Sequence, residues 1–148
     1  MLGKSLLWQR ALFPAIGYAL CGLAAGCAES GPLLIPVRGT VTLTGRRLTA
    51  GYVSYRADAG QGNQTLHIPT GQISAEGRYE LFTNGRAGAP PGWYKVLVFA
   101  DENQRQGAVH PLRPKWLTDE KYTQEETTDL RVEVKTPAAE TAYDLQLE

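Results

Sequence analysis

From Val37 to the C-terminus, apolar residues recur at alternate positions, and no 3.6-residue period replaces that alternation. Side chains two apart share one face of a strand, so the pattern commits this chain to half-buried β-structure. Val37, Gly39, Val41 and Leu43 alternate with Arg38, Thr40, Thr42 and Thr44, and a turn follows at 44–47. Val53 and Tyr55 alternate with Tyr52, Ser54 and Arg56. After a loop at 58–63, Leu66 and Ile68 flank His67 in a third short strand, limited by Pro69. A turn at 75–78 leads into a strand over 79–83, and a glycine- and proline-rich loop spans 84–92.

The strand over 93–100 is apolar on both faces, with Tyr94, Val96 and Val98 on one and Trp93, Lys95, Leu97 and Phe99 on the other. It therefore reads as central or covered on both sides. Leu130, Val132 and Val134 oppose Arg131, Glu133 and Lys135. Tyr143, Leu145 and Leu147 oppose Asp144, Gln146 and Glu148, with a turn at Pro137 and Ala138 between the two strands. Seven strands so spaced predict an all-β fold, a seven-stranded antiparallel sandwich. One segment, 101–129, is too long for a turn and holds Pro111, Pro114, Trp116, Leu117 and Tyr122. Its part at 114–122 is expected to make one or two helical turns. Long loops on a rigid scaffold are where binding is usually placed.

Ahead of these strands lies a different kind of segment. Lys4 and Arg10 form a basic start, residues 11–26 carry no charge, and small residues lead into Cys27. Basic, apolar and small, in that order, reads as an export signal helix over 1–26. Leu23-Ala24-Ala25-Gly26-Cys27 resembles the lipobox of bacterial lipoproteins, which implies that Cys27 becomes the lipidated first residue of the mature protein. The leucine usual three positions before the cysteine is here four before it. Cys21 fits less well because the bulky Leu20 precedes it. An ordinary secretory signal and an uncleaved anchor are the alternatives. The apolar run is 16 residues long and contains Pro14 and Gly17, short of the roughly 20 that span a bilayer. The resemblance implies two or three acyl chains on Cys27. Each buried methylene contributes about 0.8 kcal/mol, so such an attachment lasts. Ala28 stands where Asp marks inner-membrane retention in some bacteria, and by that resemblance the outer membrane is favoured. Residues 27–36 form a tether, and 37–148 the domain.

Without residues 1–26, 13 basic residues face 15 acidic ones, a net charge of −2. No basic patch interleaved with aromatics suggests nucleic acid. Cys27 is then the one remaining cysteine, so packing and not disulfides must hold the domain together.

Several pieces of the domain also carry a family pattern. Val37-Arg38-Gly39-Thr40-Val41, with Leu48-Thr49-Ala50-Gly51-Tyr52-Val53 after the turn, resembles the opening of carboxypeptidase regulatory-like, transthyretin-like domains. Arg47 stands where proline is common. Ser74-Ala75-Glu76-Gly77-Arg78-Tyr79-Glu80-Leu81 and Ala89-Pro90-Pro91-Gly92-Trp93-Tyr94-Lys95-Val96 resemble two later motifs of that family, and Lys121-Tyr122-Thr123 with Asp129-Leu130-Arg131-Val132 its late pieces in small lipoproteins. The resemblance covers 37–148 and implies a Greek-key sandwich of transthyretin-like (prealbumin-like) type that is an appendage and not a peptidase. Within these motifs Gly77 is expected at positive φ, Gly39 and Gly92 at bends or close approaches, and Tyr79 and Tyr94 inward with hydroxyls that need partners.

Catalytic chemistry finds little foothold. His67 and His110 lie far apart with no metal-site spacing. The acidic pairs Asp101-Glu102, Asp119-Glu120 and Glu125-Glu126 lack the calcium-loop spacing. None of Ser5, Ser30, Ser54 and Ser74 sits in a nucleophile elbow. The Tyr-Arg-Gly-Ser ending of the urate-pathway hydrolase of this fold is absent. Asn63-Gln64-Thr65 matches a glycosylation sequon, which means little behind a bacterial lipid signal. No catalytic residue, metal or cofactor is expected. Trp93 and Phe99, with Trp116 and Tyr122 from the insertion, form one aromatic set. Read as packing, the insertion covers the strand; read as function, the set binds a glycan, a small ligand or a protein. The function expected first is a non-catalytic, lipid-anchored accessory module of the cell envelope, with membrane and an envelope protein or glycan as partners. A ligand-binding envelope protein is the second reading.

Overall fold

The computed structural model describes residues 31–102 and 114–148. The predicted signal helix, Cys27, His110 and Pro111 lie outside the described residues. Gly31–Glu148 forms a compact unit by itself, and it is all-β with two sheets.

The strands are β1 Arg38–Leu43, β2 Arg46–Arg47, β3 Tyr52–Ala57, β4 Thr70–Gln72, β5 Arg78–Glu80, β6 Phe82–Thr83, β7 Arg86–Ala87, β8 Gly92–Phe99, β9 Arg131–Val134 and β10 Leu145–Leu147. One sheet runs β10-β1-β2, with β5 also paired to β1; the other runs β7-β6-β4-β3-β8-β9. The alternation sets which side chains meet between them. Val41, Tyr79, Leu145 and Leu147 from the first sheet join Val53, Tyr55, Tyr94, Val96, Val98, Val132 and Val134 from the second in one buried cluster.

Tyrosine hydroxyls inside that core are paired, as burial requires. The Tyr79 hydroxyl donates to the Tyr143 carbonyl at 2.6 Å and lies 2.9 Å from the Tyr55 hydroxyl. Tyr94 donates to the Pro90 carbonyl at 2.8 Å. Burial pushes all three phenols above their ordinary pKa. Gly77 takes φ +72°, as its hairpin predicts.

Three expectations change. Leu66 and Ile68 do not form a strand; the strand begins after Pro69, as β4. The reason is local. The Thr65 N–H donates to Asn63 Oδ1 and the His67 N–H to Thr65 Oγ1, so side chains take the bonds a ladder would need. Next, the sheets are not wholly antiparallel: β1 and β10 pair in parallel, Val41 opposite Leu145. Residues 135–144 carry the chain from one sheet to the other, so β9 and β10 are not a hairpin. Finally, the short strands outnumber the seven expected. Thr44-Gly45 and Asn84-Gly85 have φ of 46°, 78°, 50° and 78°, the paired positive values of a tight hairpin turn. These turns add the hairpin partners β2 and β7.

Candidate functional site

Pairing register decides what the outer face of the larger sheet presents. Tyr52 lies opposite both Gln72 of β4 and Phe99 of β8, and Thr70 lies opposite Phe82 of β6. Cross-strand partners share a face, and so do residues two apart. Phe82, Thr70, Gln72, Tyr52 and Phe99 therefore stand together on the side away from the core. Tyr52 and Phe99 stack with centroids 4.7 Å apart, and Trp116 approaches Phe99 at 6.1 Å. Of the described large hydrophobics, Leu66 is 95% exposed, Leu33 74%, Ile68 48%, Phe82 44% and Trp93 36%. The last two, and Ile68 through the extended pairing of Tyr55 N–H with the Pro69 carbonyl, belong to this face.

The predicted aromatic set does not form one surface. Phe99 and Trp116 meet. Trp93 sits at the opposite end of β8, across from Glu133 of β9. Tyr122 is 2% exposed and belongs to the core, where its hydroxyl accepts the Glu148 N–H at 3.1 Å. The described part of the insertion follows the upper edge of β8. Leu117 N–H donates to the Ala100 carbonyl, and Thr128 Oγ1 to the Val96 carbonyl at 2.8 Å. A short 3₁₀ turn at Glu120–Thr123, capped by Asp119, turns Tyr122 inward. That is why packing and surface each take part of the set.

Two shallow grooves flank Glu80. One, of ≈ 540 Å³, is lined by Tyr52, Thr70, Gly71, Gln72, Glu80 and Phe82. The other, of ≈ 680 Å³, shares Gln72 and Glu80 and continues past Arg38, Ser74, Arg78 and Asp144. β4 and β5 run side by side here; a Cβ at Gly71 would lie 2.3 Å from the Glu80 carbonyl oxygen. Glycine at this point lets the groove floor close. Arg38 Nε and Nη2 both donate to Glu80 Oε1, at 2.9 and 2.7 Å, and hold the carboxylate in place. Sequence reasoning passed over Tyr52, Gln72, Glu80 and Phe82, because Tyr52, Glu80 and Phe82 face away from the core, Gln72 lies in a strand the alternation did not show, and only register brings them together.

The other candidates are dispersed. His67 Nδ1 contacts Asn84 Nδ2 at 3.3 Å on the surface. Asp101 Oδ1 accepts the Lys115 N–H at 3.0 Å, Glu102 pairs with Lys115, and Asp129 pairs with Lys121 at 2.9 Å. Among the described residues no three His, Cys, Asp or Glu side chains gather to hold a metal ion. The outer face presents an aromatic row beside the Arg38–Glu80 pair. No protein-family model, curated protein or solved structure matches the chain.

Proposed function

We propose that this chain is an exported lipoprotein, held to the membrane by acyl chains on Cys27, whose β domain is a non-catalytic accessory module of the cell envelope. The observation that carries the reading is the charge-free run of 11–26 ending in Ala25-Gly26-Cys27. The compact unit that begins at Gly31, shortly after Cys27, fits a tethered domain. The transthyretin-like, Greek-key type of the sandwich is supported by the pairing of Gly39 with Tyr79, which sets two of its motif strands side by side. Placement in the outer membrane rests on Ala28 alone. Cys27→Ser tests the anchor. A fatty-acid probe is expected to label the wild-type mature protein and not the variant, and the variant is expected in the soluble fraction. Label persisting on the mature variant would overturn the reading.

A second reading, that the outer face binds a glycan or small ligand, is favoured by Phe82 standing exposed on the same face as the stacked Tyr52 and Phe99 rings. Exposed aromatics gathered on one face mark interaction sites more often than scattered ones do.

A further inference from the structure

We infer that the groove between Phe82 and Tyr52 binds a neutral oligosaccharide. The inference deepens the reading of the outer face as a binding surface and rests on it. The walls are aromatic and the floor is polar. Phe82 stands across from Thr70, and Tyr52 across from Gln72, so a hydroxyl and an amide lie between two rings. A pyranose has the matching chemistry. Its axial C–H groups present an apolar face to an aromatic ring, whose π-cloud is negative, and its equatorial hydroxyls present a polar rim.

One polar group and one ring are pre-arranged. Arg38 fixes the Glu80 carboxylate through two bonds to one oxygen, and Phe99 holds the Tyr52 ring by stacking. A site already in its bound geometry loses less on binding. Gln72 has no side-chain partner among the described residues and faces both grooves. A wholly apolar occupant would strand its amide without water, at a cost in affinity. That disfavours a lipid tail or an apolar peptide.

Charge selects among sugars. The adjoining groove carries Arg38 and Arg78 against Glu80, Glu140 and Asp144, and Arg38 is already paired with Glu80, which leaves Arg78 against Glu140 and Asp144. An excess of acid repels uronic, phosphorylated or sulfated chains. The two grooves adjoin at Gln72 and Glu80, and adjoining subsites suit several linked sugars better than a single one.

The test uses the full-length protein in detergent, titrated calorimetrically with cellohexaose, xylohexaose, mannohexaose and chitohexaose, and with oligogalacturonate as the acidic comparison. At least one neutral chain is expected to bind. Phe82→Ala and Gln72→Ala are each expected to weaken it about tenfold, as loss of an anchoring contact does. Both residues are exposed, so thermal melting should be unchanged. Trp93→Ala, on the same face but outside the groove, is expected to leave affinity unaltered. Binding of the acidic chain alone, of no chain, or with no dependence on Phe82 and Gln72 would overturn the inference. Loss of affinity in Trp93→Ala with Phe82→Ala silent would place the sugar elsewhere and overturn it while keeping the face as a binding surface. The anchor is judged separately, by the Cys27 label.

Discussion

Truncation of Tyr55 to alanine is expected to lower the unfolding free energy by about 3–5 kcal/mol, read as a shift of the urea midpoint. Tyr55 is fully buried in the middle of β3, against the Tyr94 ring at 5.5 Å. Removing the ring leaves a cavity between the two sheets that the surrounding strands cannot collapse without breaking their ladders. Tyr55→Phe separates the two parts of the effect. It keeps the ring and deletes one hydroxyl of the Tyr55–Tyr79 pair, so about 1–2 kcal/mol is expected. The same pair sets an alkaline limit. Burial raises both phenol pKa values in the folded state, whereas an unfolded tyrosine ionises near pH 10. The folded protein therefore keeps protons that the unfolded chain gives up, and stability present below about pH 10 is lost as pH rises above it. Tyr55→Phe is expected to shallow that loss. Equal losses in the Ala and Phe variants would show that the hydroxyl, and not the packed ring, dominates.

Gly39→Val is expected to cost about 3 kcal/mol or more, since overpacking here is resisted by backbone. A Cβ on residue 39 would lie 2.1 Å from the Tyr143 carbonyl oxygen and 2.6 Å from its carbon, with the Tyr79 ring at 3.0 Å. None of these is the flexible end of a long side chain. Relief requires separating the segment before β10 from β1, which breaks the parallel ladder from Val41–Leu145 to Leu43–Leu147. It also disturbs the Tyr79 hydroxyl that donates to that same carbonyl. Hydrogen exchange of β10 amides is expected to rise more than that of β3 or β8. A uniform rise, or unchanged stability, would mean that the contact relaxes without opening the pair.

Gly39 shows what a sequence gives and where it stops. Its place in a V-x-G-x-V strand signals a close approach, but not that the neighbour is Tyr143. The inward tyrosines were legible in the same way, through alternation and the need to pair a hydroxyl. Their partners were not: Tyr94 turns back to Pro90 just ahead of β8, and Tyr79 reaches Tyr143, 64 residues away. At 66–68 the alternation misled, because Asn63 and Thr65 offered the backbone bonds that compete with a strand. Asn84-Gly85 is a strong hairpin signal with residues on both sides able to pair; inside a glycine- and proline-rich stretch it reads as loop.

For the candidate site the division is sharper. The aromatic residues of the insertion were visible, yet Tyr122 and Trp116 went to different places: the bridge of Trp116 with Asp101 sets it beside Phe99, and the 3₁₀ turn sends Tyr122 into the core. Phe82, Tyr52 and Gln72 looked like unrelated exposed positions. Alternation at period two is a local property, set by how a strand faces its own core, and it determined by itself the β character and the buried faces of β3, β8 and β9. Which strands stand side by side is set by long-range pairing and by crossings between sheets. Only the tertiary structure therefore decided that β10 runs parallel to β1, that the described part of the insertion follows the edge of β8, and that residues from β3, β4, β5 and β6 meet around one groove.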